Sequence, residues 1–207
     1  MIAANEQQVL DWLGTQGDAM QALLANLVNI DSGSTNKAGV DKVGEAIAAF
    51  LRQHGIACEV TPNDRFGQAL RGYVGTPGER NILLMGHRDT VFPDGEAQRR
   101  PFKRENGRGY GPGVTDMKAG LVMNSFVAAA MNKFKSAPAP VVALYTSDEE
   151  IGSPSSRAII EAEARRARLV LNAEPGRPGN AVVTGRKGGV FMRFEVLGKA
   201  AHSGGNF

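Results

Sequence analysis

The feature that most restricts how this chain can fold is a repeated one: short apolar runs that end in clusters of ionisable residues. Asn81-Ile82-Leu83-Leu84-Met85-Gly86 leads into His87-Arg88-Asp89, Val141 to Tyr145 leads into Asp148-Glu149-Glu150, and Leu169 to Leu171 leads into Glu174. A further carboxylate, Asp116, follows the turn Gly111-Pro112-Gly113 and opens a segment to Phe134 with Met117, Leu121, Val122, Ser125, Phe126, Ala129 and Ala130 on one helical face. Ser155 to Arg165 reads as a second helix capped by Ser155 or Ser156. Continuous apolar runs without alternation are strands buried on both faces. Strand, helix, strand, helix, strand is the pattern of right-handed crossovers between parallel strands, so the expected class is α/β. In open α/β sheets the carboxyl ends of the strands form the ligand crevice, and clusters far apart in sequence converge there.

The flanking segments extend this frame. Glu6 to Leu13 and Asp18 to Val28 repeat apolar residues at helical spacing, and Val40, Val43, Ile47, Phe50 and Leu51 mark a third helix ending near Gly55, with His54 in its last turn in a structural role. Ile56 to Val60 and Ala69 to Val74 are β-prone, and Gly75-Thr76-Pro77-Gly78 is expected to join the second of these to Asn81–Met85 as a hairpin. Phe92 to Gly113, rich in Pro, Gly and charge, reads as a functional loop over the sheet end. From Ala181 the texture changes: Val182, Val183, Val190, Phe191, Arg193, Phe194 and Val196 alternate as in strands. The expected division is 1–184 and 185–207, the second part being the start of another domain.

Composition narrows the function classes. In 207 residues, 24 Lys and Arg stand against 21 Asp and Glu, a net charge of +3 with no basic stripe interleaved with aromatics, which argues against a nucleic-acid partner. No apolar run approaches the ~20 residues of a membrane span. The start Met1-Ile2-Ala3-Ala4-Asn5-Glu6 lacks the pattern of a signal peptide, so a cytoplasmic location is expected, and a periplasmic one if a leader has been removed. Cys58 is the single cysteine, so a metal here relies on His and carboxylates. One imidazole and several carboxylates in a partly dry cleft repel strongly unless a cation binds. Each piece has a plainer reading: His87 and Asp89 as a hydrogen-bonded pair, Asp148-Glu149-Glu150 as a solvated turn, Asp116 as a helix cap. The recurrence at successive strand ends favours the metal.

These motifs resemble those of a known family. Met85-Gly86-His87-Arg88-Asp89-Thr90-Val91, Gly111-Pro112-Gly113-Val114-Thr115-Asp116-Met117-Lys118, Ser147-Asp148-Glu149-Glu150-Ile151-Gly152-Ser153 and Asn172-Ala173-Glu174-Pro175 look like the ordered motifs of the di-zinc exopeptidases and deacylases that include glutamate carboxypeptidase, acetylornithine deacetylase and succinyl-diaminopimelate desuccinylase. The resemblance implies a mixed, largely parallel sheet with helices on both faces, followed by the start of an inserted α+β lid and dimerisation domain. It implies two zinc ions, with His87 and Glu174 on the first, Glu150 on the second and Asp116 bridging both. It makes Glu149 the general base and Asp89 the partner that orients His87. Ala200-Ala201-His202-Ser203-Gly204 resembles the lid segment whose histidine reaches the partner subunit's active site in a homodimer. Lys118 is expected on an exposed helix face.

Family members are close to twice this long, so the chain is expected to be truncated. The last zinc-ligand histidine and the arginine that binds the substrate carboxylate would then lie past residue 207, leaving the second metal site incomplete and the chain inactive alone. An unpaired sheet edge is expected as well. The resemblance is nearest the glutamate carboxypeptidase branch, which implies removal of a C-terminal acidic residue such as glutamate from a small peptide. The alternatives are an N-acyl amino-acid deacylase of the same fold and a non-catalytic metal-binding remnant.

Overall fold

The computed structural model describes residues 4–207 apart from Phe191, Val196, Ala200, Ala201, Ser203, Asn206 and Phe207. The chain divides into two units, Met1–Pro175 and Gly176–Phe207. The first opens with helices α1 (Ala4–Gly14), α2 (Gly17–Val28) and α3 (Lys37–Gln53). Asn36 caps α3 by accepting the Gly39 N–H at 2.8 Å. His54 closes it with Nδ1 2.9 Å from the Phe50 carbonyl and its ring 4.3 Å from the Phe50 ring, the structural role foreseen for it.

Strands β1 (Ala57–Thr61), β2 (Ala69–Val74) and β3 (Asn81–His87) come next, then helix α4 (Glu96–Arg99), strands β4 (Lys103–Glu105) and β5 (Arg108–Tyr110), helix α5 (Ala119–Phe134), strand β6 (Val141–Thr146), helix α6 (Arg157–Arg166) and strand β7 (Ala167–Asn172). The main sheet has the order β1-β2-β6-β3-β7. β3 pairs in parallel with β6 and β7, whereas β1, β2 and β6 pair antiparallel. The class is therefore the expected α/β with a mixed sheet. The hairpin expected across Gly75–Gly78 does not form, because β6 lies between β2 and β3. Every residue of β6 is buried, so its polar backbone needs a neighbour on each edge, and β2 and β3 supply them.

Side chains alternate between the faces of the sheet with period two. Leu70, Leu84, Val141, Ala143 and Tyr145 face the major core, where Val43, Ile47 and Leu51 of α3 and Leu121 and Phe126 of α5 meet them. Leu83, Val142 and Leu144 face the other way, against Ile159 and Ile160 of α6. Helices thus cover both faces, and each fully buried apolar side chain contributes about 1.5–3 kcal/mol.

Three details differ from expectation. The loop after Phe92 contains a helical turn and the β4–β5 hairpin, turned by Asn106 (φ 52°) and Gly107 (φ 74°), the pairing favoured in two-residue hairpin loops. Helix α5 begins at Ala119 rather than Asp116, which has extended dihedrals (φ −115°, ψ 98°) and is joined to Met117 by a cis peptide bond. Strand β7 is not buried: Leu169, Val170 and Leu171 are 47%, 40% and 48% exposed. It forms one edge of the sheet, and α6 beside it buries none of its own residues.

In the unit Gly176–Phe207 the described residues form a short turn, Pro178–Asn180, and a bridge between Arg177 and Ala181. The strands expected from Val182 onward are not formed among the described residues of this unit, and Phe191 and Val196 lie outside them. Val182, Val190 and Phe194 are exposed, and alternation makes a strand only where a partner and a core reward it.

Candidate metal centre

The site begins at the end of β3, where parallel pairing with β6 on one side and β7 on the other delivers three chain segments to the same edge. His87, the last residue of β3, is 2% exposed. Its Nδ1 lies 2.9 Å from the Asp89 carbonyl oxygen and 3.3 Å from Asp89 Oδ1. Those acceptors occupy Nδ1, so Nε2 is the ring nitrogen turned toward the other carboxylates. Nε2 is 3.2 Å from Asp116 Oδ1, 3.7 Å from Glu174 Oε1 and 3.8 Å from Glu149 Oε2.

Asp89 is fully buried and tied on every side. Oδ2 accepts the Ser34 hydroxyl at 2.6 Å and the Glu150 N–H at 3.1 Å, and Oδ1 accepts the Glu149 N–H at 3.1 Å. One carboxylate therefore orients the imidazole and fixes the backbone of the short turn Glu149–Ile151 after β6. Burial drives the Asp89 pKa up, but its bonds to His87, Ser34 and the Glu150 amide hold it below the ordinary carboxylate range. For His87, burial disfavours the charged form, yet Asp89, Glu174 and Glu149 outweigh it and raise the pKa to about 9. Glu150 is pushed up to about 7 by burial and then by Asp116, Asp89 and Glu149, against the pull of His87, and Glu174 is raised chiefly by burial. Such mutual repulsion is what a bound cation relieves.

The ligand-type atoms fall into two overlapping groups, His87 with Asp116 and Glu150, and His87 with Glu149 and Glu174. Within each group they lie within 4.8 Å of one another. A nitrogen and several carboxylate oxygens at this spacing fit a divalent cation. The structure thus gathers His87, Asp89, Asp116, Glu149, Glu150 and Glu174 at one sheet end, with Glu149 as near the His87 ring as Glu174 is. His202, exposed in the other unit, has its Nδ1 accepting the Gly204 N–H at 3.0 Å.

Several supporting residues escape a sequence reading. Lys118, expected on an exposed face, is 1% exposed, and its Nζ donates to the carbonyls of Leu27 and Ile30, both at 2.9 Å. It satisfies the C-terminal carbonyls of α2 and pins the Asp116 turn to that helix, a use its place after Met117 does not announce. Arg88 is 1% exposed and donates to the carbonyls of Thr146, Val40 and Gln68, clamping the ends of β3 and β6 to α3. Asp31 accepts the N–H groups of Gly95 and Ala97, both at 2.7 Å, and so anchors the loop after β3. Ser34 and Asp31 lie in a polar break that reads only as turn formers.

The sequence profile of the peptidase family M20/M25/M40 matches residues 83–200. The chain belongs to this family. Among M20 relatives, it is 31% identical over 188 residues to carboxypeptidase G2 of Pseudomonas sp. strain RS-16, a match covering 87% of this chain and 45% of that protein. It is 30% identical over 200 residues to succinyl-diaminopimelate desuccinylase of Rickettsia typhi, covering 86% of this chain and 50% of that one. With acetylornithine deacetylase of Vibrio atlanticus it shares 30% over 168 residues, covering 80% and 43%. The chain spans about half the length of the curated relatives it matches. The M20 fold is also seen in the di-peptidase Dug1p of Saccharomyces cerevisiae, with TM-score 0.68 at 20% identity over 83% of this chain and 41% of that one. Human carnosine dipeptidase 1 gives TM-score 0.68 at 17% identity, covering 82% and 41%.

Proposed function

We infer that the sheet-end cluster is the metal site of a zinc-dependent exopeptidase that hydrolyses the amide bond to a C-terminal acidic residue such as glutamate. The observation that carries this reading is His87, whose Nδ1 is committed to Asp89 while Nε2 faces Asp116, Glu149 and Glu174. His87, Asp116, Glu150 and Glu174 would hold two zinc ions. When bound, the ions polarise the amide carbonyl and make water acidic enough to ionise near neutral pH.

The chain's own residues supply the remaining work. Asp89 holds the His87 ring in one orientation and holds the Glu149–Glu150 backbone against it. Glu149 accepts the proton of the attacking water and passes it to the leaving nitrogen as the new C–O bond replaces the C–N bond. His202 of a second copy in a homodimer would steady the oxyanion. Removal of a C-terminal residue is supported by the match to carboxypeptidase G2, and an acidic one is what the resemblance of the motifs to the glutamate carboxypeptidase branch implies. A second reading, an N-acyl amino-acid deacylase, is favoured by the matches to a desuccinylase and a deacetylase. Both reactions cleave an amide next to a carboxylate.

The test is metal content after purification without chelator, on the native chain and on His87→Ala and Glu174→Ala. Retention of zinc that both substitutions remove supports the assignment, and absence of metal at neutral pH sinks it. In the full-length protein, rates on a glutamyl-terminated peptide against an N-acetyl amino acid separate the two readings.

A further inference from the structure

A cavity of about 610 Å³ is lined by Arg99, Arg100, Lys103, Tyr110, Val114 and Thr115 among others. Thr115, one of the lining residues, immediately precedes Asp116 in the chain. Its walls come from α4 and the β4–β5 hairpin, the segment in which the chain concentrates positive charge. Between Glu96 and Tyr110 stand Arg99, Arg100, Lys103, Arg104 and Arg108 against Glu96 and Glu105, an excess of three that equals the +3 of the whole chain.

Part of that charge is already engaged. Glu96 accepts from Arg99 Nε at 2.8 Å and Nη2 at 2.6 Å, and also from Arg100 Nε. Lys103 Nζ lies 3.1 Å from Glu105 Oε2 and 5.3 Å from the Tyr110 ring centre. Glu96 thus serves two guanidiniums at once, and among the described residues no hydrogen-bond acceptor meets Nη1 or Nη2 of Arg100 or Nη1 of Arg99. Their side chains, with that of Lys103, are 69%, 45% and 63% exposed. A nearly buried carboxylate thereby holds two cavity-lining arginines, Arg100 also lying over the Phe92 ring at 5.1 Å, and both keep donors free for a planar carboxylate.

We propose that this cavity is an anion subsite that receives a second carboxylate of the substrate, remote from the scissile amide. The proposal rests on the hydrolase reading for the identity of the bound molecule. A dianionic substrate would then be held at both ends, and a neutral one of the same length would lose the second anchor.

The probe is the dipeptide Glu-Glu, titrated calorimetrically into the whole chain, with Gln-Gln and inorganic phosphate as comparisons. The variants are Arg99→Gln with Arg100→Gln, Lys103→Gln alone, and Arg157→Gln on α6 as control, each checked for metal content and thermal unfolding. Saturable binding of Glu-Glu, weakened about tenfold by the double substitution and about threefold by Lys103→Gln, untouched by the control and screened by salt, is expected. Gln-Gln binds at least tenfold more weakly. Absence of saturable Glu-Glu binding, or binding indifferent to the three substitutions, overturns the subsite, and phosphate binding as tightly as Glu-Glu overturns its assignment to a carboxylate. Because metal content is read separately, a chain that holds no zinc fails the hydrolase reading while the anion result still decides the cavity.

Discussion

β6 and β7 flank the same strand, β3, run in the same direction and are both built from apolar residues, yet they live in different surroundings. All of β6 is buried between α5 on one face and α6 on the other, while Leu169, Val170 and Leu171 of β7 are 40–48% exposed. An apolar run is sufficient for a strand, but burial belongs to what lies against it. The site inherits this asymmetry. His87, Asp89 and the Glu149 turn grow from the buried β3–β6 pair, whereas Glu174 follows the exposed edge strand.

The sharpest way to break the contrast is to damage the buried side. Arg88→Ala removes the buried guanidinium that ties together the carbonyls of Thr146, Val40 and Gln68, and a loss of about 3–5 kcal/mol is expected in urea unfolding, with the metal site lost alongside. Leu83→Ala, in the small core under α6, should cost about 2–4 kcal/mol by the same measurement. Gly120→Ala probes the boundary, because a Cβ there would meet the Ala173 carbonyl oxygen at 2.0 Å and push the segment carrying Glu174. It should cost about 1–3 kcal/mol and reduce zinc retention, and unchanged metal content would show that Glu174 is not a ligand. Asp89→Asn keeps the shape but weakens the hold on His87 and the Glu149 turn, so zinc affinity by competition with a chelator should fall about 10- to 100-fold. The smallest effect is expected on β7, where Leu171→Ala should change stability by no more than about 0.5 kcal/mol, against several-fold more for Leu83→Ala. Equal effects would erase the comparison.

Much of the centre is legible in the chain. His87, Asp116, Glu149, Glu150 and Glu174 announce themselves because each follows a strand or glycine turn, and parallel strands send their ends to one edge. The residues that hold those groups in place are silent for a physical reason. Lys118 is a lysine on a helical pattern, and only the exposed carbonyls at the end of α2, 91 and 88 residues away, turn it inward. Ser34 sits 55 residues from the Asp89 it binds, and nothing local distinguishes its hydroxyl from any turn serine. The hairpin expected at Gly75–Gly78 fails because turn chemistry permits a reversal without choosing the neighbour, and β6, arriving some 60 residues later, takes that place. The Asn106-Gly107 hairpin was readable from its dipeptide, but the charge around it masks the short strands it joins.

What the sequence determines by itself is the succession of the longer helices and of the main-sheet strands, the class of fold, the family and the donor atoms offered to a metal, because these follow from local periodicity and from which residues end each strand. What the tertiary structure alone decides is the order β1-β2-β6-β3-β7, the exposure of β7, the inward turn of Lys118 and Arg88, and the orientation of the His87 ring. Each of these depends on satisfying a buried polar group or an apolar face with a partner distant in the chain, and no local pattern encodes which partner arrives.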